Sequence, residues 1–228
     1  MQELRYCVAH TLTGRYAIGV NFELYKNDWR HRYSERSDLS TSLVHLTKSK
    51  KPQSMAEMMF KILDERKLIG STTDSGFIVG SDKAVCFQDA PIHAVCQNCW
   101  FEQKLRKNQK SKKVRYSPSG FLFHKQNVFQ SGGRPVVYDS TVEAKKYLPK
   151  SEWWRIVNFD LSDSEKFIDW THEREWRVKG DFEFELSEVT LLFTKTSIYQ
   201  DFIKLCDEKN TPFYKSVAGI VVTESVLF

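Results

Sequence analysis

The sequence predicts an α+β fold: one domain over residues 1–228 with a mixed, twisted β-sheet and flanking helices. Short β-prone runs recur at 42–47, 84–87 and 120–124, helical periodicity separates them at 54–70 and 89–101, and the chain finishes strand-helix-strand over 189–222. Strands and helices mixed in this order fit a sheet with helices packed against it. A composition of 41% hydrophobic and 14% aromatic residues in 228 is enough for a sizeable core.

Taken in order, residues 4–25 combine Tyr6, Val8, Tyr16, Ile18, Val20 and Phe22 with Gly14 and Gly19, a pattern for a hairpin turning near Thr13-Gly14. Residues 26–38 are charged and irregular and fit a loop or a short exposed helix. In the strand 42–47, Leu43, His45 and Thr47 face one way, so an imidazole and a hydroxyl project together. Such a histidine is either a hydrogen-bonded core residue or a catalyst.

Ser54 with Glu57 three residues on gives capping-box spacing, Met55, Met58, Met59, Ile62 and Leu63 follow at helical spacing as core residues, and Gly70 ends the helix. After the small-residue connection 71–81 comes the strand 84–87. Asp89 as cap and Pro91 in the first turn then open a helix toward Trp100 and Phe101. Strands at 120–124 and 134–138 are joined through Ser131-Gly132-Gly133. A short helix at 143–147 is closed by Pro149, and 152–159 fits helix or strand. Strands at 182–186, 189–193 and 217–222 and a helix over 197–208 complete the chain.

The chemistry is concentrated in the run Asp169-Trp170-Thr171-His172-Glu173-Arg174-Glu175-Trp176-Arg177-Val178. As a strand it places Glu173, Glu175 and Arg177 on one face and Arg174, Trp176 and Val178 on the other. Two carboxylates on one face are costly in a core unless paired or needed. They either pair with arginines across a solvated face or form a catalytic, ribose-gripping Glu-x-Glu. Cys86, His93, Cys96 and Cys99 are zinc-ligand types, but the last three trace one helix stripe at i, i+3 and i+6. No metal site is assigned to them.

The net charge of +5 hides a concentration: Lys104, Arg106, Lys107, Lys110, Lys112, Lys113 and Arg115 fall within twelve residues, and without them the charge turns slightly negative. This basic loop at about 104–115 is either a solvated surface segment or a set of phosphate contacts for nucleic acid. Five scattered cysteines argue against a disulfide framework and for a reducing compartment. The opening residues lack a signal-peptide layout and no run approaches a membrane span, so a soluble, cytoplasmic protein with no membrane partner is expected.

Leu43-Val44-His45-Leu46-Thr47, Val85-Cys86-Phe87-Gln88-Asp89-Ala90-Pro91, Arg134-Pro135-Val136-Val137-Tyr138 and Trp170-Thr171-His172-Glu173-Arg174-Glu175-Trp176-Arg177-Val178 together resemble bacterial abortive-infection proteins of the AbiGi type. The order of a His-x-Thr strand, a second strand leading into a helix and a late glutamate also resembles the ADP-ribosyltransferase superfamily. These resemblances imply a phage-defence or toxin setting, an ADP-ribosyltransferase-like fold, and NAD as substrate for ADP-ribose transfer to a nucleic-acid or protein acceptor, or for NAD hydrolysis. They imply His45 with Thr47 at the nicotinamide ribose, Phe87 stacking on nicotinamide where the superfamily has a tyrosine, and Glu175 as the catalytic carboxylate with Glu173 orienting the acceptor. Arg134 or Arg177 would grip the pyrophosphate. Partners on this reading are nucleic acid or a protein such as an antitoxin or phage protein. Two alternatives stay open: a nucleic-acid-binding protein or nuclease using the basic segment, and a catalytically inactive sensor or interaction domain.

Overall fold

A computed structural model of the chain describes residues 32–33, 35–49, 52–108 and 117–227. The expected hairpin at 4–25 lies outside them, as do residues 109–116 of the basic segment. The described part is α+β, built on a mixed sheet of seven strands. These are β1 (Ser42–Leu46), β3 (Ala84–Gln88), β4 (Gly120–His124), β5 (Arg134–Pro135), β8 (Glu175–Lys179), β10 (Val189–Phe193) and β11 (Gly219–Val222), in the spatial order β11-β10-β4-β1-β3-β8-β5. β10 and β11 pair in parallel across the helix that connects them, and the other neighbours are antiparallel. Two small ladders stand apart from this sheet: β2 (Lys67–Leu68) with β9 (Phe182–Glu183), and β6 (Val137–Asp139) with β7 (Ile156–Asn158).

Because side chains alternate along each strand, the register sorts the sheet into two faces. Leu43, Val85, Phe87, Phe121, Phe123, Val178, Val189, Leu191 and Phe193 share the first face. Helices α1 (Met55–Glu65) and α5 (Thr196–Glu208) cover it through Met59, Phe60, Leu63 and Phe202. Val44, Leu46, Leu122 and Leu192 share the second face, under helix α2 (Ile92–Asn108) through Val95 and Cys99. The large fully buried side chains, each contributing about 1.5–3 kcal/mol, are mostly on the first face. The second face has room for polar groups.

The α1 start is as the sequence predicts: Ser54 Oγ accepts from Glu57 N–H at 3.2 Å while the Glu57 carboxylate accepts from Ser54 N–H at 2.6 Å. Its end comes earlier than Gly70, at Arg66, which takes a left-handed φ of 48°. Asp89 does not act as a cap; its carboxylate pairs with Lys125 Nζ at 2.8 Å. The single strand expected over 134–138 is split between β5 and β6 in different ladders, and α3 (Lys125–Gln130) fills the connection ahead of it. Residues 150–155 form a 3-10 turn leading into β7. Helices α4 (Thr141–Tyr147) and α6 (Glu224–Leu227) complete the set.

Candidate functional site

The run around Glu173 is not one strand. Asp169 accepts from Thr171 N–H at 2.8 Å and from Thr171 Oγ1–H at 2.6 Å, starting a 3-10 turn over Thr171–Glu173. Arg174 then takes a left-handed φ of 43°, and only at Glu175 does β8 begin. A non-glycine residue held there costs on the order of 1 kcal/mol and persists because its surroundings impose it. Its carbonyl accepts from Asp89 N–H at 3.1 Å, which locks the turn against the end of β3.

This turn places Glu173 inside the protein at 7% exposure, where the Gln88 side-chain amide donates to its carboxylate. His172 Nε2 lies 3.7 Å from the other carboxylate oxygen, close enough for an ion pair when the imidazole is protonated. Gln88 is itself 9% exposed, and its Oε1 has no hydrogen-bond partner among the described residues. Gln88 belongs to the wall of a cleft of about 660 Å³ between the end of β3, helix α2 and the 171–174 turn, and Glu173 lies behind it, between the lining residues His172 and Arg174 in the chain. Ala94, Val95 and Phe101 give it an apolar side; Asp38, Thr171, His172 and Arg174 give it a polar one. An Arg174 guanidinium N–H donates to the Asp38 carbonyl at 2.8 Å, and the Asp38 carboxylate pairs with Arg36 at 2.6 Å. The Arg36 guanidinium holds the Asp38 carboxyl below the usual carboxylate range.

Behind the cleft on the same face, Cys86 and Gln88 stand across from Arg177 and Glu175. Arg177, 2% exposed, donates to Glu175 Oε1 at 2.8 Å and to the carbonyls of Trp154, Ile156 and Phe77 at 2.7, 3.1 and 3.1 Å. All of this guanidinium's bonding is internal, so the expected pyrophosphate role for Arg177 is corrected to a structural one. The Tyr138 hydroxyl accepts from Glu175 N–H at 2.7 Å, and burial, helped by the charges of Glu175 and Glu173, pushes the phenol up to about 12. Sequence reasoning missed Tyr138 because its place beside the two carboxylates depends on β6 pairing with β7, where Tyr138 stands opposite Val157.

His45 is elsewhere. Register pairs it with Phe121 and alternation puts it on the first face, where its ring meets Phe87 edge-on at 5.8 Å. Glu175, opposite Gln88, is on the second face. The expectation that His45, Phe87 and Glu175 line one cleft is therefore corrected: His45 and Phe87 share one face of the sheet and Glu175 is on the other. His45 Nδ1 donates to the Cys86 carbonyl at 2.8 Å, and burial lowers its pKa. Phe87 is 1% exposed among Phe123 and Phe182, a core ring with no face open for stacking on a ligand. Thr47 follows β1, its N–H bonded to the Ser119 carbonyl at 3.0 Å. Arg134 folds back on its own turn, donating to the Phe129 and Gly133 carbonyls at 3.0 and 2.7 Å over the Phe129 ring. Cys96 and Cys99 are buried on the sheet side of α2, and among the described residues no group of three His, Cys, Asp or Glu side chains is placed to hold a metal ion.

Of the basic segment, Lys104 projects from α2 with its Nζ 5.3 Å from the Trp100 ring centroid, and Arg106 and Lys107 continue the helix. Among the described residues no helix is long and apolar enough to cross a membrane. Fold and site define an α+β protein whose central sheet carries a cleft with a buried glutamine–glutamate pair at its wall, Gln88 lining it and Glu173 behind. Comparison with known proteins found no matching family model, no matching curated protein and no matching solved structure.

Proposed function

We propose that the chain is a nucleotide-directed enzyme of the phage-defence type, related in fold to the ADP-ribosyltransferases, that cleaves the nicotinamide–ribose bond of NAD at the Glu173 cleft. The single observation that carries this reading is Glu173 itself: a carboxylate at 7% exposure just behind the wall, held by the side-chain amide of Gln88, which lines a cleft large enough for a nucleotide moiety. A buried carboxylate fixed by a hydrogen bond is a preorganised anion, and it opposes the positive charge that develops on a ribose as its N-glycosidic bond breaks.

In this reaction the C1′–N1 bond breaks and its electron pair leaves with nicotinamide. An acceptor nucleophile or water adds at C1′, and the proton it sheds passes to a cleft base. Glu173 stabilises the cationic ribose. His172, 3.7 Å from Glu173 and exposed at the rim, is positioned to take that proton. Arg174, on the polar wall, is the cation available to the dinucleotide phosphates. The Gln88 Oε1 is an acceptor for the carboxamide N–H of nicotinamide. This reading moves the chemistry from His45 and Glu175 to Glu173, His172 and Gln88. The abortive-infection setting is supported by the sequence resemblance alone.

The test is nicotinamide release from NAD by the purified protein, with and without nucleic-acid or protein acceptors, alongside Glu173→Gln. Loss of one preorganised electrostatic contact lowers the rate on the order of a hundredfold. A wild type that releases no nicotinamide under any of these conditions, or a Glu173→Gln variant as fast as wild type, overturns the assignment.

A further inference from the structure

Helix α2 has an unusual distribution of apolar residues. Val95, Cys96 and Cys99 account for its buried stripe against the sheet, which is what an amphipathic helix requires. Trp100 and Phe101 lie outside that stripe and are 50% and 54% exposed. Two large rings side by side in solvent carry a cost that packing within the described residues does not offset. Phe101 is on the wall of the cleft that Gln88 lines, with Glu173 behind it, and Trp100 is its exposed neighbour in the helix. One turn on, the Lys104 ammonium lies 5.3 Å from the Trp100 ring centroid. Glu102 is the carboxylate on this stretch, partly buried between them in sequence, and the helix runs on into the positively charged stretch that ends at Arg115.

We propose that the exposed side of α2 formed by Trp100, Phe101 and Lys104 binds single-stranded nucleic acid and leads an unpaired base to the mouth of the Glu173 cleft. Exposed aromatic rings next to cations are the combination that holds single strands, since bases stack on the rings while the cations meet the backbone phosphates. A duplex keeps its base faces stacked on each other, so it offers nothing to Trp100 and Phe101. Charge selects the same partner: Lys104 and the basic sequence that follows it attract a polyanion, and the cleft-wall residue Arg174 adds a cation toward the mouth. The rings alone would also suit an apolar protein partner; the cations on the same helix favour phosphates. Where the strand leads rests on the cleft being the reactive site, whereas the binding itself does not.

The experiment is fluorescence anisotropy of the full chain with a labelled single-stranded oligodeoxythymidine of about 15 nucleotides and with the matching duplex, over a series of salt concentrations. The single strand binds more tightly than the duplex. Trp100→Ala and Phe101→Ala each weaken it roughly tenfold, and Trp100→Phe, which keeps a ring, restores most of the affinity. Lys104→Ala flattens the salt dependence by about 0.7 of a slope unit. Equal affinity for duplex and single strand, or unchanged affinity in both alanine variants, overturns the proposal. The NAD reading fails separately: oligonucleotide binding with no nicotinamide release leaves this surface standing, and nicotinamide release by a wild-type chain that binds no single strand overturns the surface and leaves only the cleft.

Discussion

Gln88 and Glu173, 85 residues apart in the chain, are joined by a hydrogen bond from the side-chain amide to the carboxylate at the back of the cleft. Gln88→Leu keeps approximate volume but removes the donor, leaving a buried carboxylate with one bond fewer, a loss of about 1–3 kcal/mol. Gln88→Glu sets a second carboxylate against the first and is the worse variant above neutral pH, recovering as acid protonates one of the pair. Urea unfolding of the two variants at pH 5 and pH 8 checks both statements; two variants indistinguishable from wild type would mean that the contact contributes nothing.

His45 gives a pH signature. Burial lowers its pKa below the ordinary imidazole value of about 6.5, against a smaller opposing effect of the Cys86 carbonyl. The unfolded chain therefore binds this proton more readily than the folded one. Stability is fully present above pH 6.5 and is lost as pH falls through that value toward the folded pKa. His124, also lowered by burial, adds to the same slope. Melting temperature between pH 7.5 and 5 should fall in wild type and fall less steeply in His45→Gln. Equal slopes would remove His45 from the account.

The described cysteines make a third prediction. Burial pushes the Cys99 thiol up to about 12 and the Cys206 thiol to about 11, and raises those of Cys86 and Cys96 as well. Thiolate is the reactive form, so at pH 8 these four are alkylated far more slowly in the folded protein than in the unfolded chain. Peptide mapping after iodoacetamide treatment reads this directly. Rapid native labelling of Cys86, which stands beside Glu175 and Arg177, would show that the second face opens in solution.

What the sequence revealed and what it hid follow from the range of the interactions. The Ser54–Glu57 box, the β3 strand and the strand-helix-strand finish are fixed by residues within a few positions of each other, and each is present in the fold. The order of chemically apt residues along the chain was also legible, but not the face each one takes. His45 and Glu175 are separated by register, since Val44 lies opposite Gln88 and Gln88 opposite Glu175, which sends His45 the other way. Glu173 was read as part of a strand because a left-handed arginine is a rare way to end a turn, and nothing in Thr-His-Glu-Arg-Glu announces it. Tyr138 and Gln88 reach the two carboxylates only through pairings set by distant segments.

The last prediction separates the two glutamates. Glu175 pairs with Arg177 at 2.8 Å within one strand, and Arg177 is 2% exposed with three backbone carbonyls completing its shell. Removing one member of a buried pair leaves the other charged and without its counter-ion, which costs about 3–5 kcal/mol. Arg177→Met therefore destabilises on that scale, and Arg177→Lys recovers only part, since an ammonium cannot reach the carboxylate and three carbonyls in the guanidinium's fan. Glu175→Gln leaves Arg177 charged among the carbonyls and partly hydrogen-bonded, so its cost is smaller, at about 1–3 kcal/mol. The double variant Glu175→Gln with Arg177→Met costs less than the sum of the two, by roughly 1–3 kcal/mol of coupling. Glu173→Gln, by contrast, keeps the volume and a polar group facing Gln88, and acts on nicotinamide release more than on stability. Guanidinium unfolding of the four proteins gives the coupling; if Glu175 and Arg177 prove additive while Glu175→Gln abolishes nicotinamide release, the reactive carboxylate is Glu175 and the assignment of Glu173 fails.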